Sequence, residues 1–365
     1  MNTQFTEQVN AILRERDDPY LGKNWQEAQV LKSVKVIDSK IFIDIELHYP
    51  AQSCHQSWQT WLANRLRETI PQYQAEITIQ TKIFPYAVQP GLKGVAGIKN
   101  IIAIASGKGG VGKSTTAANL ALALSFEGAK VGILDADIYG PSQPLMLSVK
   151  NKQPEVNEDG KRMYPIESYG LQTMSIGYLV GEDQPVIWRG PMVSGALQQL
   201  LNETLWQDLD YLIVDLPPGT GDIHLTLVQK IPVSGAVVVT TPQDLALIDA
   251  QRACAMFEKV NVNVLGIIEN MATHVCSACG QAEAIFGEGG GQRLADKCAV
   301  PLLGQLPLDQ KIRTDADNGK PTVVSAPESP LGLQYRECAR RVAAQLSLRP
   351  RNYGAVFPNI VVESR

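Results

Sequence analysis

The chain has 365 residues, of which 44% are hydrophobic and 19% charged, and its formal net charge is −4. This composition is typical of a globular protein, and the slight acidic excess disfavours nonspecific binding to nucleic acid. The first residues show no basic segment followed by an apolar one, and no apolar run approaches the ~18 residues that span a bilayer. We therefore expect a cytoplasmic protein with neither a membrane nor a nucleic-acid partner. At ~150 residues per domain, its length predicts two or three units.

Residues 1–85 are predicted to form a small α+β domain with the element order αββαβ. Apolar and polar side chains alternate from Ile41 to Tyr49, which indicates a half-buried strand. The other elements are inferred from apolar spacing: a helix over 4–16, a strand over 30–36, a helix over 58–70 and a strand over 77–83.

A short segment with proline and several glycines, 86–97, is predicted to link this domain to a larger one. From residue 98 to 348, short strands that are apolar throughout alternate with helical stretches. Such strands are buried on both sides, as in a mostly parallel sheet covered by helices on both faces. A C-terminal tail is expected over 349–365. The predicted strands lie at 101–105, 130–134, 211–214, 235–239 and 264–268.

The most specific motif is Gly107-Lys108-Gly109-Gly110-Val111-Gly112-Lys113-Ser114, which matches G-x-x-x-x-G-K-[ST]. It follows the strand at 101–105 and precedes a predicted amphipathic helix over Thr115–Phe126. The glycines allow successive backbone N–H groups to face phosphates at the positive end of that helix. Lys113 would contact the β- and γ-phosphates, and Ser114 would bind Mg²⁺. The loop therefore predicts a P-loop NTPase that binds ATP with Mg²⁺.

A second lysine, Lys108, follows the first glycine of the loop, at a position that the ordinary motif leaves free. One interpretation is a solvated loop lysine. The other is a second cation that stabilises charge developing on the transferred phosphoryl group. Because Lys113 already occupies one side of that group, Lys108 would then serve a nucleotide in a facing subunit.

Carboxylates follow two further strands, where the ligand crevice of an α/β sheet lies. Asp135 and Asp137 come after the strand at 130–134. One could hold Mg²⁺ through water, and we assign Asp137 to orient the attacking water; a cap or turn residue is the alternative for either. Asp215 ends an apolar strand and fits the second magnesium-linked carboxylate of P-loop enzymes. The Pro-Pro-Gly turn after it could bring the Gly219 amide near the γ-phosphate.

Cys276 and Cys279 form a lone C-x-x-C after the strand at 264–268. A tetrahedral thiolate site needs four ligands, so a zinc ribbon is disfavoured unless Cys298 or His274 joins the pair. A thioredoxin-type pair is disfavoured because it opens a helix after the first strand of its domain. Two copies of the chain meeting across a two-fold axis would bring four thiolates together, which suits an iron–sulfur cluster or zinc. Two incidental loop cysteines are the alternative.

In combination, these motifs resemble the Mrp/ApbC family of iron–sulfur cluster carrier ATPases over about residues 90–345. The wider group is the deviant Walker A ATPases, which include MinD, ParA and the nitrogenase iron protein. The segments that carry the resemblance are the phosphate loop, Leu134–Ser142, Trp188–Met192, Asp215–Asp222, Glu269–Met271 and Cys276–Cys279.

The resemblance implies a nucleotide-dependent homodimer that hydrolyses ATP. Lys108 matches the lysine that reaches across to the partner's ATP, and Asn270 matches a residue that reads the adenine base through its carboxamide. Asp137 matches the hydrolytic carboxylate, and Asp215 matches the second magnesium-linked one. The phosphate and magnesium positions are matched by Lys113, Ser114 and Thr115.

The resemblance also implies the cargo and the partners. Cys276 and Cys279 match the pair that holds a 4Fe–4S cluster between two subunits, which would come from assembly scaffolds and pass to apo iron–sulfur proteins. Residues 1–85 resemble the small domain that precedes the ATPase in many bacterial members. Cys54-His55 stands there where a Cys-Pro is expected, so we favour a structural or partner-docking role for Cys54 over contact with a cluster.

Three other functions are compatible with a phosphate loop. A positioning ATPase of the MinD/ParA type requires a terminal amphipathic helix or a basic DNA-binding face, which the tail and the acidic charge disfavour. An electron-transfer reductase like the nitrogenase iron protein holds its cluster through widely separated cysteines, unlike the adjacent pair here. A zinc-stapled dimeric scaffold with vestigial ATPase activity is the third alternative.

Overall fold

A computed structural model describes residues 2–179, 190–276 and 278–352 of the chain. The chain divides into two compact units, one of Met1–Phe84 with Ala343–Leu348 and one of Pro85–Val342 with Arg349–Arg365. Over the described ranges, no helix combines the length and the apolar character needed to cross a membrane.

The first unit has the predicted order αββαβ. In its sheet, the second strand pairs antiparallel with the first and parallel with the third. Along the second strand, residues Ile41, Ile43 and Ile45 are at most 1% exposed while their neighbours are only partly buried, which confirms the alternation seen in the sequence. The elements are α1 (Asn2–Arg14), β1 (Leu31–Ile37), β2 (Lys40–Leu47), α2 (His55–Thr69) and β3 (Gln74–Thr81).

The second unit contains an α/β sheet with a separate small hairpin. Its strands are β4 (Ile98–Ala105), β5 (Val131–Asp135), β6 (Ile166–Ser168), β7 (Leu171–Ser175), β8 (Leu209–Asp215), β9 (Gly235–Thr240), β10 (Val264–Glu269), β11 (His274–Val275), β12 (Ala282–Glu283) and β13 (Leu302–Gln305). Its helices are α3 (Lys113–Phe126), α4 (Gln143–Met146), α5 (Gly190–Glu203), α6 (Asp222–Lys230), α7 (Asp244–Lys259), α8 (Gly290–Lys297), α9 (Gln310–Asp317), α10 (Thr322–Ser325) and most of α11 (Pro330–Ser347), whose residues from Ala343 onward belong to the first unit.

Among the described residues of this unit, eight strands form one sheet in the order β13-β10-β9-β4-β8-β5-β7-β6. All neighbouring strands are parallel except β6, which runs antiparallel to β7. The mostly parallel sheet of a P-loop NTPase is therefore confirmed. The five strands predicted from the sequence are its buried central strands. The edge strands β6 and β13 and the strand β7 next to β6 were not predicted because they are short and mixed in polarity.

The helix after the phosphate loop differs from its prediction. An amphipathic helix was expected over Thr115–Phe126, but in α3 every residue from Thr116 to Leu124 is buried. The helix packs on β4, β5 and β8, and α4 and α10 also contact it. Its alanines and leucines are therefore enclosed on all sides, as expected for a helix in the interior of a larger domain.

The segment 86–97, expected to be a linker, is packed into the second unit. Tyr86 is 1% exposed and Gln89 is 6% exposed. The Gln89 carboxamide donates to the carbonyls of Val228 (2.9 Å) and Ile231 (3.1 Å) and accepts from the Val233 amide (2.9 Å). Buried polar groups require such partners, so this stretch is part of the folded unit rather than a free connection.

Candidate nucleotide and cysteine sites

The phosphate loop, Gly107–Ser114, connects the end of the central strand β4 to α3. Gly112 has φ of +81°, a conformation that favours glycine, and it lies directly beside the Asn270 carboxamide. A Cβ on Gly107 would overlap the backbone carbonyl of Asp249 in α7. These two glycines are therefore required by backbone conformation and by close packing, as the motif predicts.

Lys113 and Asp215 form a buried ion pair under the loop, with their side chains 5% and 0% exposed. The other carboxylate oxygen of Asp215 accepts from Gln143 Nε2 at 2.9 Å. The same Nε2 donates to the Ser114 carbonyl at 3.1 Å. Lys113 follows β4 after the phosphate loop, Gln143 follows β5 after a short loop, and Asp215 is the last residue of β8. The ends of these three strands thus converge on one charged centre.

Asp135 was predicted to contact the nucleotide or its metal, but its carboxylate is buried beneath the following loop. It accepts hydrogen bonds from the backbone amides of Asp137 (3.2 Å), Ser142 (3.0 Å) and Gln143 (3.0 Å) and from Ser175 Oγ (3.2 Å). Asp135 is 0% exposed. It therefore holds the loop from Asp137 to Gln143 in place rather than facing the cavity.

Burial strongly affects the carboxyl groups at this centre. It raises the pKa of Asp135 to about 7, with a further contribution from the neighbouring Asp215 carboxylate, against hydrogen bonds and Lys113 that lower it. Burial also raises the pKa of Asp137, while Lys113 lowers it. Asp137 lines the adjoining cavity, and its predicted role in orienting the attacking water stays a prediction.

The cavity at the phosphate loop has a volume of about 560 Å³, which is within the range of small-ligand sites. Asp137 and Asn270 line it together with the loop. The remaining wall, which no sequence motif indicated, is formed by Leu145, Met146, Pro307, Leu308, Asp309, Ile312, Arg313, Ala316 and Asp317. These apolar and charged side chains come from α4, from α9 and from the residues just before α9, and a spacing signal could not have placed them here.

The donor set fits Mg²⁺. The Ser142 hydroxyl and the Gln143 carboxamide oxygen are buried and have no hydrogen-bond partner among the described atoms. Ser114 and Asp215 supply further oxygens nearby, and oxygen ligands are those that Mg²⁺ prefers. Ser114 would hold the ion, and Asp215, whose two oxygens bond Lys113 and Gln143 here, would have to give up one of these bonds to join it. The charge of the ion would neutralise the β- and γ-phosphates.

Lys108 and Gly219 lie at the outer side of the loop. Lys108 is exposed, and its carbonyl accepts from Ser106 Oγ at 2.9 Å. The Gly219 amide donates to the Ser106 carbonyl at 2.9 Å, so its predicted contact with a γ-phosphate requires this bond to break. Gly219 also lies against the His224 imidazole, whose pKa is lowered by burial. The roles of Lys108 and Gly219 towards phosphate stay predictions.

Asn270 and Thr115 make contacts within the protein as well as lining the cavity. Asn270 Nδ2 donates to the Val111 carbonyl of the phosphate loop at 2.9 Å. Thr115 Oγ1 lies 3.9 Å from Met146 Sδ. Asn270 thus supports the loop directly, and its predicted reading of an adenine base stays a prediction.

The cysteine pair lies at the tip of the hairpin formed by β11 and β12. The Cys276 amide donates to the Gln281 carbonyl at 2.9 Å, and the Gly280 amide donates to the Cys276 carbonyl at 2.8 Å. Cys279 is exposed and Cys276 partly so. Hydrogen bonds from the backbone amides of Ala278 and Cys279 lower the pKa of the Cys276 thiol, which favours the thiolate that binds metals.

In the part of the chain that the structure describes, the hairpin carries two cysteine sulfurs, those of Cys276 and Cys279. Within 2–179, 190–276 and 278–352, no three His, Cys, Asp or Glu side chains come together so that they could hold a metal ion. His274 Nδ1 lies 3.0 Å from the Leu308 carbonyl. Cys298 instead neighbours Cys254, with which it shares a separate cavity. Neither residue completes a zinc ribbon.

Residues 97–343 match the family described as ParA: NUBPL iron-transfer P-loop NTPase. The chain belongs to this family. The iron-sulfur cluster carrier protein of Haemophilus influenzae is 47% identical over 367 residues, which covers 97% of this chain and 95% of that protein. The protein of the same name from Escherichia coli K12 is 64% identical over 258 residues, or 71% of this chain and 69% of the relative. The resemblance to the Mrp/ApbC group is confirmed by these family members.

Solved structures show the same fold. A nucleotide-binding protein from Archaeoglobus fulgidus in complex with ADP has a TM-score of 0.57 and 37% identity, covering 66% of this chain and 91% of that chain. The cell division ATPase MinD of Pyrococcus furiosus has a TM-score of 0.50 and 24% identity, covering 67% of this chain and 98% of that chain. The second comparison concerns the P-loop fold alone.

The Trp188–Met192 segment and Cys54 were also singled out in the sequence. Trp188 and Arg189 lie outside the described residues. Cys54, in the first unit, has its Sγ 3.9 Å from Tyr20 Oη and 3.8 Å from Ser53 Oγ. These are local contacts, and the structural or docking role predicted for Cys54 stays a prediction.

Proposed function

We propose that the chain is an ATP-dependent iron–sulfur cluster carrier. Two copies hold a 4Fe–4S cluster through Cys276 and Cys279 of each chain and transfer it to apo iron–sulfur proteins. The observation that carries this proposal is the cysteine hairpin: it presents two partly exposed thiols and, among the described residues, offers no third ligand, in a member of an iron-transfer NTPase family. Relatives that cover most of the chain are named cluster carriers.

Ligand number supports a shared cluster. A 4Fe–4S cluster takes four cysteine thiolates, so a half-site with two sulfurs needs a second copy related by a two-fold axis. The amides that lower the pKa of Cys276 stabilise the thiolate, as ligation requires. A cluster held at the exposed tips of two hairpins is accessible to the thiols of an acceptor, which can replace the carrier's thiolates one at a time.

The nucleotide site supports turnover of ATP. Lys113 and the loop amides bind the phosphates, and Asp137, at the edge of the cavity, orients the water that attacks the γ-phosphorus. The exposed Lys108 would reach a nucleotide bound by the second copy, where its charge would stabilise the transition state. Each copy then completes the site of the other, which makes hydrolysis depend on the dimer.

Coupling of ATP turnover to cluster transfer requires that nucleotide binding changes the conformation of loops at the nucleotide site. The segment from Asp137 to Gln143 is held by Asp135, and the turn at Gly219 is held by the Ser106 carbonyl. ATP competes for the groups of both segments, so binding and hydrolysis would shift them between two arrangements. Such a shift alters the packing of the two copies and with it the exposure of the cluster.

The deciding experiment is elemental analysis after anaerobic reconstitution with ferrous iron and sulfide. We expect wild type to hold roughly four irons and four sulfides per two chains, with little zinc, and to sediment as a dimer. Cys276→Ala should lose most of the bound iron and sulfide. Cys298→Ala, which removes another partly buried thiol of the same domain, is the matched control and should load normally.

Two results would refute the proposal. One is a Cys276→Ala protein that holds as much iron and sulfide as wild type. The other is a monomeric wild type with a full cluster, because a single chain supplies only two sulfurs at the hairpin. Zinc in place of iron and sulfide in the anaerobically purified protein would favour the stapled scaffold instead.

A further inference from the structure

Glu269, the last residue of β10, is fully buried and binds the start of α8. Its Oε1 accepts from the backbone amide of Gly291 at 2.6 Å, and its Oε2 accepts from Gln305 Nε2 at 2.5 Å. The approach is close, because a Cβ on Gly291 would lie 2.7 Å from the Glu269 Cβ. A carboxylate at the first turn of a helix is stabilised by the amides that lack helical partners, so this contact fixes the position of α8.

The next residue, Asn270, contacts the nucleotide site. Its Nδ2 donates to the Val111 carbonyl of the phosphate loop at 2.9 Å, and its backbone amide donates to the Thr240 carbonyl at 2.7 Å. Successive side chains of an extended strand point to opposite sides. Glu269 and Asn270 therefore connect α8 to the phosphate loop through two adjacent residues at the end of one central strand.

The cysteine hairpin lies between these two contacts along the chain. The segment from Met271 to Gly289 contains β11, β12 and the cysteine pair; it begins after Asn270 and ends where α8 begins. Its first residues are held by the Ala272 amide, which donates to the Leu306 carbonyl at 2.9 Å. The end of the segment is held through Gly291. Both ends of the segment thus depend on Glu269, one covalently and one through its carboxylate.

From this arrangement we propose that Glu269 is a positioning residue that couples the phosphate loop to the cysteine hairpin. A nucleotide that enters the cavity contacts and displaces Asn270, which lines it, and Glu269 passes the displacement to α8 and so to the far end of the hairpin segment. This inference rests on the proposed function and names the residue that connects its nucleotide site to its cysteine hairpin. The geometry predicts that loss of the carboxylate uncouples the nucleotide site from the cysteine hairpin, while each site still binds its own ligand.

The test compares Glu269→Gln with wild type in the full-length, cluster-loaded dimer. Cluster transfer to an apo-ferredoxin is followed by the visible absorbance of the acceptor, with and without ATP, and ATP affinity is measured separately by calorimetry. A neutral amide makes weaker hydrogen bonds than a carboxylate. We expect ATP affinity within about twofold of wild type and the effect of ATP on the transfer rate to fall roughly 2- to 30-fold.

Two further variants control for charge and for packing. Glu288→Gln removes an exposed carboxylate from the same segment and should behave as wild type. Glu269→Leu removes both hydrogen bonds and should abolish the effect of ATP on the transfer rate. Glu269→Gln, which can still form hydrogen bonds, should keep part of that effect. If Glu269→Leu does not fold, the Gln variant alone decides the test.

The outcomes separate the two proposals. A wild-type protein that holds no cluster, or that transfers it equally fast with and without ATP, refutes the proposed function. If wild-type transfer responds to ATP and Glu269→Gln responds equally, the coupling role of Glu269 is wrong while the proposed function stands. Loss of ATP affinity in Glu269→Gln in proportion to the loss of transfer would also overturn coupling, because it would show a defect of the nucleotide site itself.

Discussion

Replacement of Asp135 by asparagine should change how the stability of the nucleotide-free protein depends on pH. Asp135 is 0% exposed, and burial together with the Asp215 carboxylate raises its pKa to about 7. The three hydrogen bonds that its Oδ2 accepts, from the Ser142 and Gln143 amides and from Ser175, can be kept by an amide oxygen. The substitution therefore removes the titrating group while keeping most of its partners.

The sign and size of this pH dependence follow from the difference between the pKa values of Asp135 in the folded protein and in the unfolded chain. The folded protein keeps this proton up to about pH 7, whereas the unfolded chain releases it near 3.8, so the free energy of unfolding falls as pH rises between these values. At about 1.4 kcal/mol per pKa unit, the whole penalty is on the order of 4 kcal/mol. About 3 kcal/mol of it develops between pH 5 and pH 8.

The assay is urea unfolding of both proteins at a series of pH values in the absence of nucleotide. The Asp135→Asn variant will carry a constant cost of about 1–3 kcal/mol, because the new NH₂ group faces the Asp137 amide that donates to Oδ1 in wild type. The quantity of interest is the free-energy difference between variant and wild type, which should rise in favour of the variant by roughly 3 kcal/mol from pH 5 to pH 8. The exposed Asp159→Asn should show no such trend. Parallel pH profiles for wild type and Asp135→Asn would refute the assignment of a buried proton to Asp135.

Two substitutions in the phosphate loop give further predictions. Lys113→Ala leaves the buried Asp215 without its ion-pair partner, so we expect loss of ATP binding by calorimetry and a stability loss of about 3–5 kcal/mol; unchanged ATP affinity would contradict the loop assignment. Gly107→Ala forces a Cβ against the Asp249 carbonyl, which should cost about 1–3 kcal/mol and weaken ATP binding, whereas Gly195→Ala, which meets no atom within 4 Å, should match wild type in both measurements.

The sequence was sufficient to predict those features whose physical cause is local or repeats along a continuous stretch of the chain. The phosphate loop was identified because its glycines and its Lys-Ser pair must be adjacent for the backbone to enclose a phosphate. The central strands β4, β5, β8, β9 and β10 were found because burial on both faces leaves an unbroken apolar run. The first unit was predicted in the right order because a half-buried strand such as β2 alternates in polarity.

Tertiary structure decided what depends on residues distant in sequence. The surroundings of α3 are set by α4 and α10, so its alanines and leucines alone did not show that it is enclosed. The sequence placed both Asp135 and Asp137 at the ligand crevice, and only the loop folding back through Gln143 buries the first and leaves the second at the cavity. The contact of Glu269 with Gly291 joins residues separated by the whole cysteine hairpin. Hydrogen bonds and burial of this kind arise from packing between elements, and no periodicity along the chain encodes them.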